Sequence, residues 1–172
     1  VLSFGEGVTA TEISQESFSY GRDQDMWASE AYVVGFADNS QSLLLSPLAY
    51  AQHAPVFVLN PWQDDCSAVI ALLRSANISC ITLVGPSVVK FKEEFVAAGL
   101  TVSLLATGDG DTCFEVFDAV FNMMSSSGQS DAGMELMIAS RDFDQWPELL
   151  TVGCCAGSSH SALMMMDKTN LD

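Results

Sequence analysis

Positive charge is what this sequence has least of. Six Lys and Arg stand against 22 Asp and Glu, a formal net charge of −16 over 172 residues. Gripping a phosphate backbone depends on Lys and Arg displacing condensed counterions, and Arg22, Arg74, Lys90, Lys92, Arg141 and Lys168 form no cluster. Nucleic acid is thereby set aside as a partner, and the excess acid reads as a solvated surface. No apolar run approaches the ~20 residues of a spanning helix, so membrane insertion is not expected. A basic segment followed by an apolar one is also missing from the start, which is Val1; a leader removed upstream is compatible with that.

Cysteine pairing is absent too. Cys66, Cys80, Cys113, Cys154 and Cys155 make an odd count with no C-x-x-C spacing, which argues against a zinc site or a disulfide framework. Their apolar neighbours make them small buried hydrophobes, and the adjacent Cys154-Cys155 has no base beside it to lower a thiol pKa. The turn after the first strand candidate, Gly35-Phe36-Ala37-Asp38, is not G-x-G-x-x-G, and the chain contains no G-x-S-x-G elbow. Neither a nucleotide site nor a Ser-His-Asp set can be nominated.

What the sequence does have is hydrophobicity, 49% of residues, arranged as short apolar runs alternating with segments of helical period. That alternation is the mark of β-α-β units around a parallel sheet. Strands are expected at Ala31–Phe36, Pro55–Leu59, Cys80–Gly85, Thr101–Leu105, Glu135–Ala139 and Ala162–Met166. Helices are expected over Thr9–Tyr20, with Ile13 and Phe18 inward, and over Asp64–Ala76, with Ala68, Val69, Leu72 and Leu73 inward. Ser87 is expected to cap a third, with Val88, Phe91, Phe95 and Val96 inward and Gly99 at its end. Thr112–Met124 carries Val116, Phe117, Val120 and Phe121. SSSGQSDAG, Ser125 to Gly133, reads as a surface connection.

One stretch is written twice. Placing His53 on His160 lays Leu45–Ala49 over Val152–Ala156 and Pro55–Asn60 over Ala162–Asp167 at a constant offset of 107. Upstream the offset is 104 for Tyr32–Gly35 over Leu136–Ala139, and 103 for Thr9 and Phe18 over Thr112 and Phe121. A period near 105 marks a duplicated α/β unit. Residues 1–107 form a complete copy and 108–172 a partial one, whose two strands either join the first sheet or begin another. The fold class is therefore α/β: a three-layer Rossmann-like or Toprim-like parallel sheet flanked by helices.

TATEIS from Thr9, SLLLSPLA from Ser42, APVFVLN from Ala54, ITLVGPSVV from Ile81 and AAGLTVSLLATG from Ala97 stand in an order that resembles the type 2 cell-wall-binding repeat of Gram-positive surface proteins. DFDQWPELLTVGCCAG from Asp142 supplies the second copy, so the resemblance covers residues 9 to 172. It implies a non-catalytic α/β module, usually in three tandem copies about a pseudo-threefold axis, that tethers secreted proteins to anionic wall polymers. Three residues before Thr9 and Thr112, where the family usually has an Arg, this chain has Glu6 and Asp109. The acid usual eight residues before the Ala of Pro-Leu-Ala is Gln41 in the first copy and Glu148 in the second.

In an open parallel sheet, ligands sit beyond the carboxyl ends of the strands. The candidate ligand residues there are Asp38, Asn39, Asn60, Trp62, Gly85, Ser87, Thr107 and Asp109. Amides at a helix start after Gly85 would suit an anion and Trp62 would stack on a sugar ring; the plainer alternative makes Asn60, Pro61 and Asp64 turn and cap residues. His53 and His160 precede strands at the opposite end and lack ligand-spaced partners, so no metal site is nominated. No cofactor is expected beyond a divalent cation such as calcium, bridging acid to acid. The partner implied is a cell-wall polymer or other envelope component, and the location extracellular. A scaffold or homo-oligomer module, leaning on a second copy or on further repeats of a parent protein, is the alternative. A sugar-nucleotide enzyme half-domain is the remote one, resting only on the α/β pattern.

Overall fold

The computed structural model describes residues 9–36, 39–62, 65–108, 112–126, 135–140, 152–153 and 155–166. In chain order these form α1 (Ala10–Asp23), β1 (Glu30–Gly35), α2 (Asn39–Ala51), β2 (Val56–Leu59), α3 (Ser67–Ser75) and β3 (Cys80–Val84). A 3-10 turn over Pro86–Phe91 leads into α4 (Lys92–Ala97), β4 (Thr101–Leu105), α5 (Thr112–Ser126), β5 (Leu136–Ser140) and β6 (Ala162–Met166). The α/β class is as expected, with each strand within a residue of its expected limits. Residues 152–153 and 155–158 are helical and lead into β6.

Four strands form one parallel sheet in the order β2-β1-β3-β4, and β5 pairs with β6, also parallel, in a sheet of its own. The partial copy therefore does not extend the first sheet. Alternation splits the first sheet's side chains between two cores. Ala31, Val33, Phe57, Leu59, Ile81 and Leu83 meet Phe18 of α1, Val69 and Leu73 of α3, Val88, Phe91 and Phe95. On the opposite face Tyr32, Val34 and Val84 meet Leu44, Leu45 and Leu48 of α2, Val116 and Val120 of α5, and Leu163 and Met165 of β6. α2 and α5 thus pack between the two sheets and belong to both.

Local chemistry explains the elements. Thr9 and Glu12 form a capping box at the start of α1: Glu12 N donates to Thr9 Oγ1 at 3.2 Å and Thr9 N to Glu12 Oε2 at 2.8 Å, satisfying two end donors. The hydroxyl of Ser14 takes the N–H of Val58 at 3.2 Å, so α1 occupies the edge that β2 would otherwise present for aggregation. Pro47, inside α2, has no N–H for the carbonyl of Leu43; Ser46 Oγ donates to that carbonyl at 2.7 Å instead. Asp65 accepts from Ser67 N and Oγ at 2.9 and 2.5 Å just ahead of α3, and these bonds hold its carboxyl below the usual range.

The apolar stripes are narrower than their periodicity suggests. Phe18, Val69, Leu73, Val88, Phe91, Phe95, Val116 and Val120 are buried, whereas Ile13, Ala68, Val96 and Phe121 are exposed. Each exposed residue lies at the margin of its helix's inward face, where only the neighbouring elements decide what is covered.

The strand pairs β1-β2 and β5-β6 match each other in direction and register, and the upstream offset needs correcting by one residue. β1 pairs Tyr32 with Val56, and β5 pairs Met137 with Leu163; since 163 − 56 is 107 and 137 − 32 is 105, the strand offset is 105 rather than 104. Burial agrees, because Met137 and Ala139 pack into the core that holds Tyr32 and Val34, and a one-residue slip would turn the wrong face inward. A Cβ on Gly153 would stand 2.6 Å from Ser46 Oγ, and one on Gly157 2.8 Å from Tyr50 Cβ. Both pairs are 107 apart, so α2 and its copy run side by side, in the same direction and level, each position against its own equivalent. Gly157→Ala should lower stability by about 1–3 kcal/mol through overpacking on Tyr50, while Gly108→Ala, with nothing within 4 Å, should leave the urea midpoint unchanged.

Candidate functional site

The strand order of the first sheet reverses between β1 and β3, which have their onward neighbours on opposite sides. That is where open parallel sheets leave a crevice at the carboxyl edge. Four chain segments arrive there: Phe36 after β1, Asn60-Pro61-Trp62 after β2, Gly85-Pro86-Ser87 after β3, and Ala106-Thr107-Gly108 after β4. Six of the eight expected ligand residues therefore share one edge, with Asn39 opening α2; Asp38 and Asp109 lie outside the described residues.

Their chemistry divides them. Asn60 Oδ1 accepts the N–H of Trp62 at 3.1 Å, closing an Asx-type turn that leaves the Trp62 ring 74% exposed. Gly85 sits at φ +93°, a conformation that β-carbons resist, and carries the chain out of β3. The next element is a 3-10 turn whose first residue, Pro86, has no amide hydrogen, so the cradle for an anion expected after Gly85 is one donor short. Gly85, not Ser87, precedes that turn, and no side chain caps it. Ser87 and Thr107 are half-buried. The ammonium of Lys90 reaches the carbonyl of Pro61 and lies 4.8 Å from the centre of the Phe91 ring, placing a cation at this edge that no local motif announces.

The two arginines of the described helices are spent elsewhere. Arg22 Nη1 bonds Ser75 Oγ at 3.2 Å and Arg74 Nη2 bonds the carbonyl of Ala98 at 2.5 Å, both at helix carboxyl ends, where the dipole favours cations. Among the described residues no group of three or more His, Cys, Asp or Glu is arranged to hold a metal. Cys66 is fully buried with its thiol 3.1 Å from Glu94 Oε2. Burial, then the bond to and charge of Glu94, push that thiol up to about 12, which leaves it an inert hydrophobe. Tyr32 donates to Gln52 Oε1 at 2.5 Å, and burial followed by the charge of Glu30 raises it to about 12.

His53 and His160 have a backbone role. They stand at φ +52° and +53°. The following residues close the same bond, Ala54 N to Ala49 O and Ser161 N to Ala156 O, each at 2.9 Å. This is the left-handed helix end that lets the chain leave α2, or its copy, and enter a strand. A non-glycine residue is disfavoured there, so His53→Gly and His160→Gly should each raise stability by up to about 1 kcal/mol in urea melts.

Gln41 was conspicuous in the sequence only as a position where the related repeats usually have an acid. In the structure it is 3% exposed in the first turn of α2, on the stripe that continues as Leu44, Leu45 and Leu48.

These features define a class: a parallel α/β unit, followed by part of a second, with a candidate site at the carboxyl edge of the first sheet. Two solved structures are similar to it. Cwp6 from Clostridium difficile superimposes with a TM-score of 0.75 at 18% identity, over 94% of this chain and 24% of that one. Cwp8 from Clostridium difficile gives 0.67 at 16% identity, over 94% of this chain and 27% of that one. The chain thus spans about a quarter of the length of either, and at these identities the likeness is one of fold. No family model matches the sequence, and no curated protein matches it.

Proposed function

We propose that this chain is a non-catalytic module of the cell envelope that associates with wall polymer from the extracellular side. The observation that carries the reading is the fold it shares, over 94% of its length, with two cell wall proteins. The order of wall-binding-repeat motifs along the sequence supports it independently. No helix among the described residues is long and apolar enough to cross a membrane.

With a net charge of −16, the module meets an anionic polymer through a divalent cation, which joins carboxylate to phosphate or carboxylate. Purified Gram-positive cell walls should retain the protein in calcium or magnesium and release most of it in chelator. Absence from the wall pellet in every condition would remove the binding claim.

A second reading has a specific observation behind it. Leu136 and Ile138 of β5 are 45% and 55% exposed, whereas Ala31 and Val33, their equivalents at offset 105, are 1% and 0% exposed beneath α3 and α4. Phe114 of α5 is also exposed. On this reading the bare face and the open edge of β5 pair with those of a second copy, making the module an assembly element. Light scattering should show a dimer that salt strengthens by screening the acid surface and that Ile138→Lys dissociates. A monomer at high concentration and high salt would dismiss it.

A further inference from the structure

The duplication lets one copy of the unit report what the other lacks. In the complete copy Ala31 and Val33 of β1, Phe57 and Leu59 of β2 and Phe18 of α1 form one buried face. Their equivalents at the offsets of 105, 107 and 103 are Leu136, Ile138, Met164, Met166 and Phe121. All five are apolar, yet Leu136, Ile138 and Phe121 are exposed and Met164 and Met166 only half-buried. The apolar surface runs on along α5, where Phe117 lies between Phe121 and Phe114 with ring centres 5.8 and 6.3 Å away. A patch of this kind marks a contact surface.

In the first copy one continuous stretch, residues 66–99, covers that face. Its α3 brings Val69 and Leu73, its β3 brings Ile81 and Leu83, and the turn and helix that follow bring Val88, Phe91 and Phe95. β3 lies parallel to β1, with Ala31 against Ile81 and Val33 against Leu83. Shifted by 105, the same register sets a strand against Leu136 and Ile138, on the side of β5 that has no strand among the described residues. The backbone is turned to receive it. Tyr32 and Phe36 donate toward β2, to the carbonyls of Pro55 and Leu59. Amides alternate sides along a strand, so those of Ala31 and Val33 point to β3, and those of Leu136 and Ile138 to the open edge.

Charge narrows the occupant. Residues 66–99 hold Arg74, Lys90 and Lys92, half of the chain's basic residues, against Glu93 and Glu94, a net charge of +1. The partial copy, 108–172, holds Arg141 and Lys168 against 11 Asp and Glu, a net charge of −9. A second copy of the chain would bring a further charge of −16 to the contact, and like charge opposes association.

We propose that the bare face of the β5-β6 sheet docks a helix-strand-helix segment of net positive charge from a partner polypeptide, its strand adding to β5 in parallel and its helices closing over Leu136 and Ile138. This is recognition by strand addition: main-chain bonds hold the added strand and the side chains around it select it. The inference goes beyond the wall reading. It uses no residue of the carboxyl edge, and it gives the bare face an occupant other than a second copy of the chain.

The probe is a peptide with the sequence of residues 66–99, titrated into the 172-residue protein. It should bind one to one and slow hydrogen exchange at the amides of Leu136 and Ile138 by about tenfold or more, while those of Met137 and Ala139, which face β6, change little. Mere adhesion to an apolar patch would not select alternate amides. A peptide of the same composition in scrambled order should bind about tenfold more weakly or worse. Ile138→Lys should weaken binding by about tenfold or more, and Val96→Lys, at an exposed residue of the complete unit, should leave it unchanged. Unchanged exchange at Leu136 and Ile138, equal binding of the scrambled peptide, or a protein that light scattering shows still dimeric in excess peptide would each overturn the proposal. Wall retention is read separately. A protein retained on walls that ignores the peptide loses this proposal alone, and one that binds the peptide but no wall loses only the wall reading.

Discussion

Five described helical segments that lead into strands end the same way, and the fold depends on it. A residue in the left-handed region is followed by one whose N–H reaches back five residues: Met26 to Gly21, Ala54 to Ala49, Ile78 to Leu73, Leu100 to Phe95 and Ser161 to Ala156. The left-handed residues are Asp25, His53, Asn77, Gly99 and His160. This closure satisfies the last carbonyls of the helix and reverses the chain within two residues. Ala54, Ile78, Leu100 and Ser161, which follow the reversal, are buried, so the turn is anchored by packing as well as by its hydrogen bond. After α2, its copy, α3 and α4 the return is so short that the strand starts beside the end of the preceding helix. The sheet is therefore parallel, with its loops of variable chemistry gathered at the carboxyl edge.

The same closure explains how two copies share one interior. His53 and His160 set α2 and its copy at equal heights before equivalent strands, and the small Gly153 and Gly157 let the two helices approach. The second sheet then turns Met137, Ala139, Leu163 and Met165 toward the core already lined by Tyr32 and Val34. One face of the second sheet is thus buried by the duplication itself. Its other face has no counterpart of α3 or α4 among the described residues, and Leu136 and Ile138 are left to water. The proposed wall association and the alternative of assembly draw on different parts of this arrangement: the first on the carboxyl edge of the complete unit, the second on the bare face of the partial one.

Much of this was legible in the order of residues. Short apolar runs between helical periods located all six described strands; β1 and β3, at the centre of the first sheet, are apolar because both their faces are covered, whereas β5 is apolar with one face bare. The match of His53 to His160 pointed to two equivalent helix ends, and both residues stand in the left-handed region. The margins of the helical faces were not legible: Ile13, Val96 and Phe121 have the spacing of core residues and are exposed, since spacing defines a direction and says nothing of how wide the opposing surface is. The offset of 104 failed for a related reason. Tyr-Val-Val-Gly matches Leu-Met-Ile-Ala or Met-Ile-Ala-Ser equally well as apolar text, and only the pairing with β6 distinguishes them.

The candidate site shows the same division. Asn60, Trp62, Gly85, Ser87 and Thr107 were placed at one sheet edge by counting strands, because residues just beyond parallel strands must collect there. That Pro86 removes a donor from the turn was also in the letters. By itself, then, the sequence determined the strands, their order and the net negative charge, all of which follow from local pattern and composition. Tertiary structure alone decided that the last two described strands form their own sheet, that Lys90 turns to Pro61, and that the oxygen of Gln41 is buried without a partner among the described residues. Those outcomes depend on which distant surfaces compete for the same space, and that competition is settled only when the chain is packed.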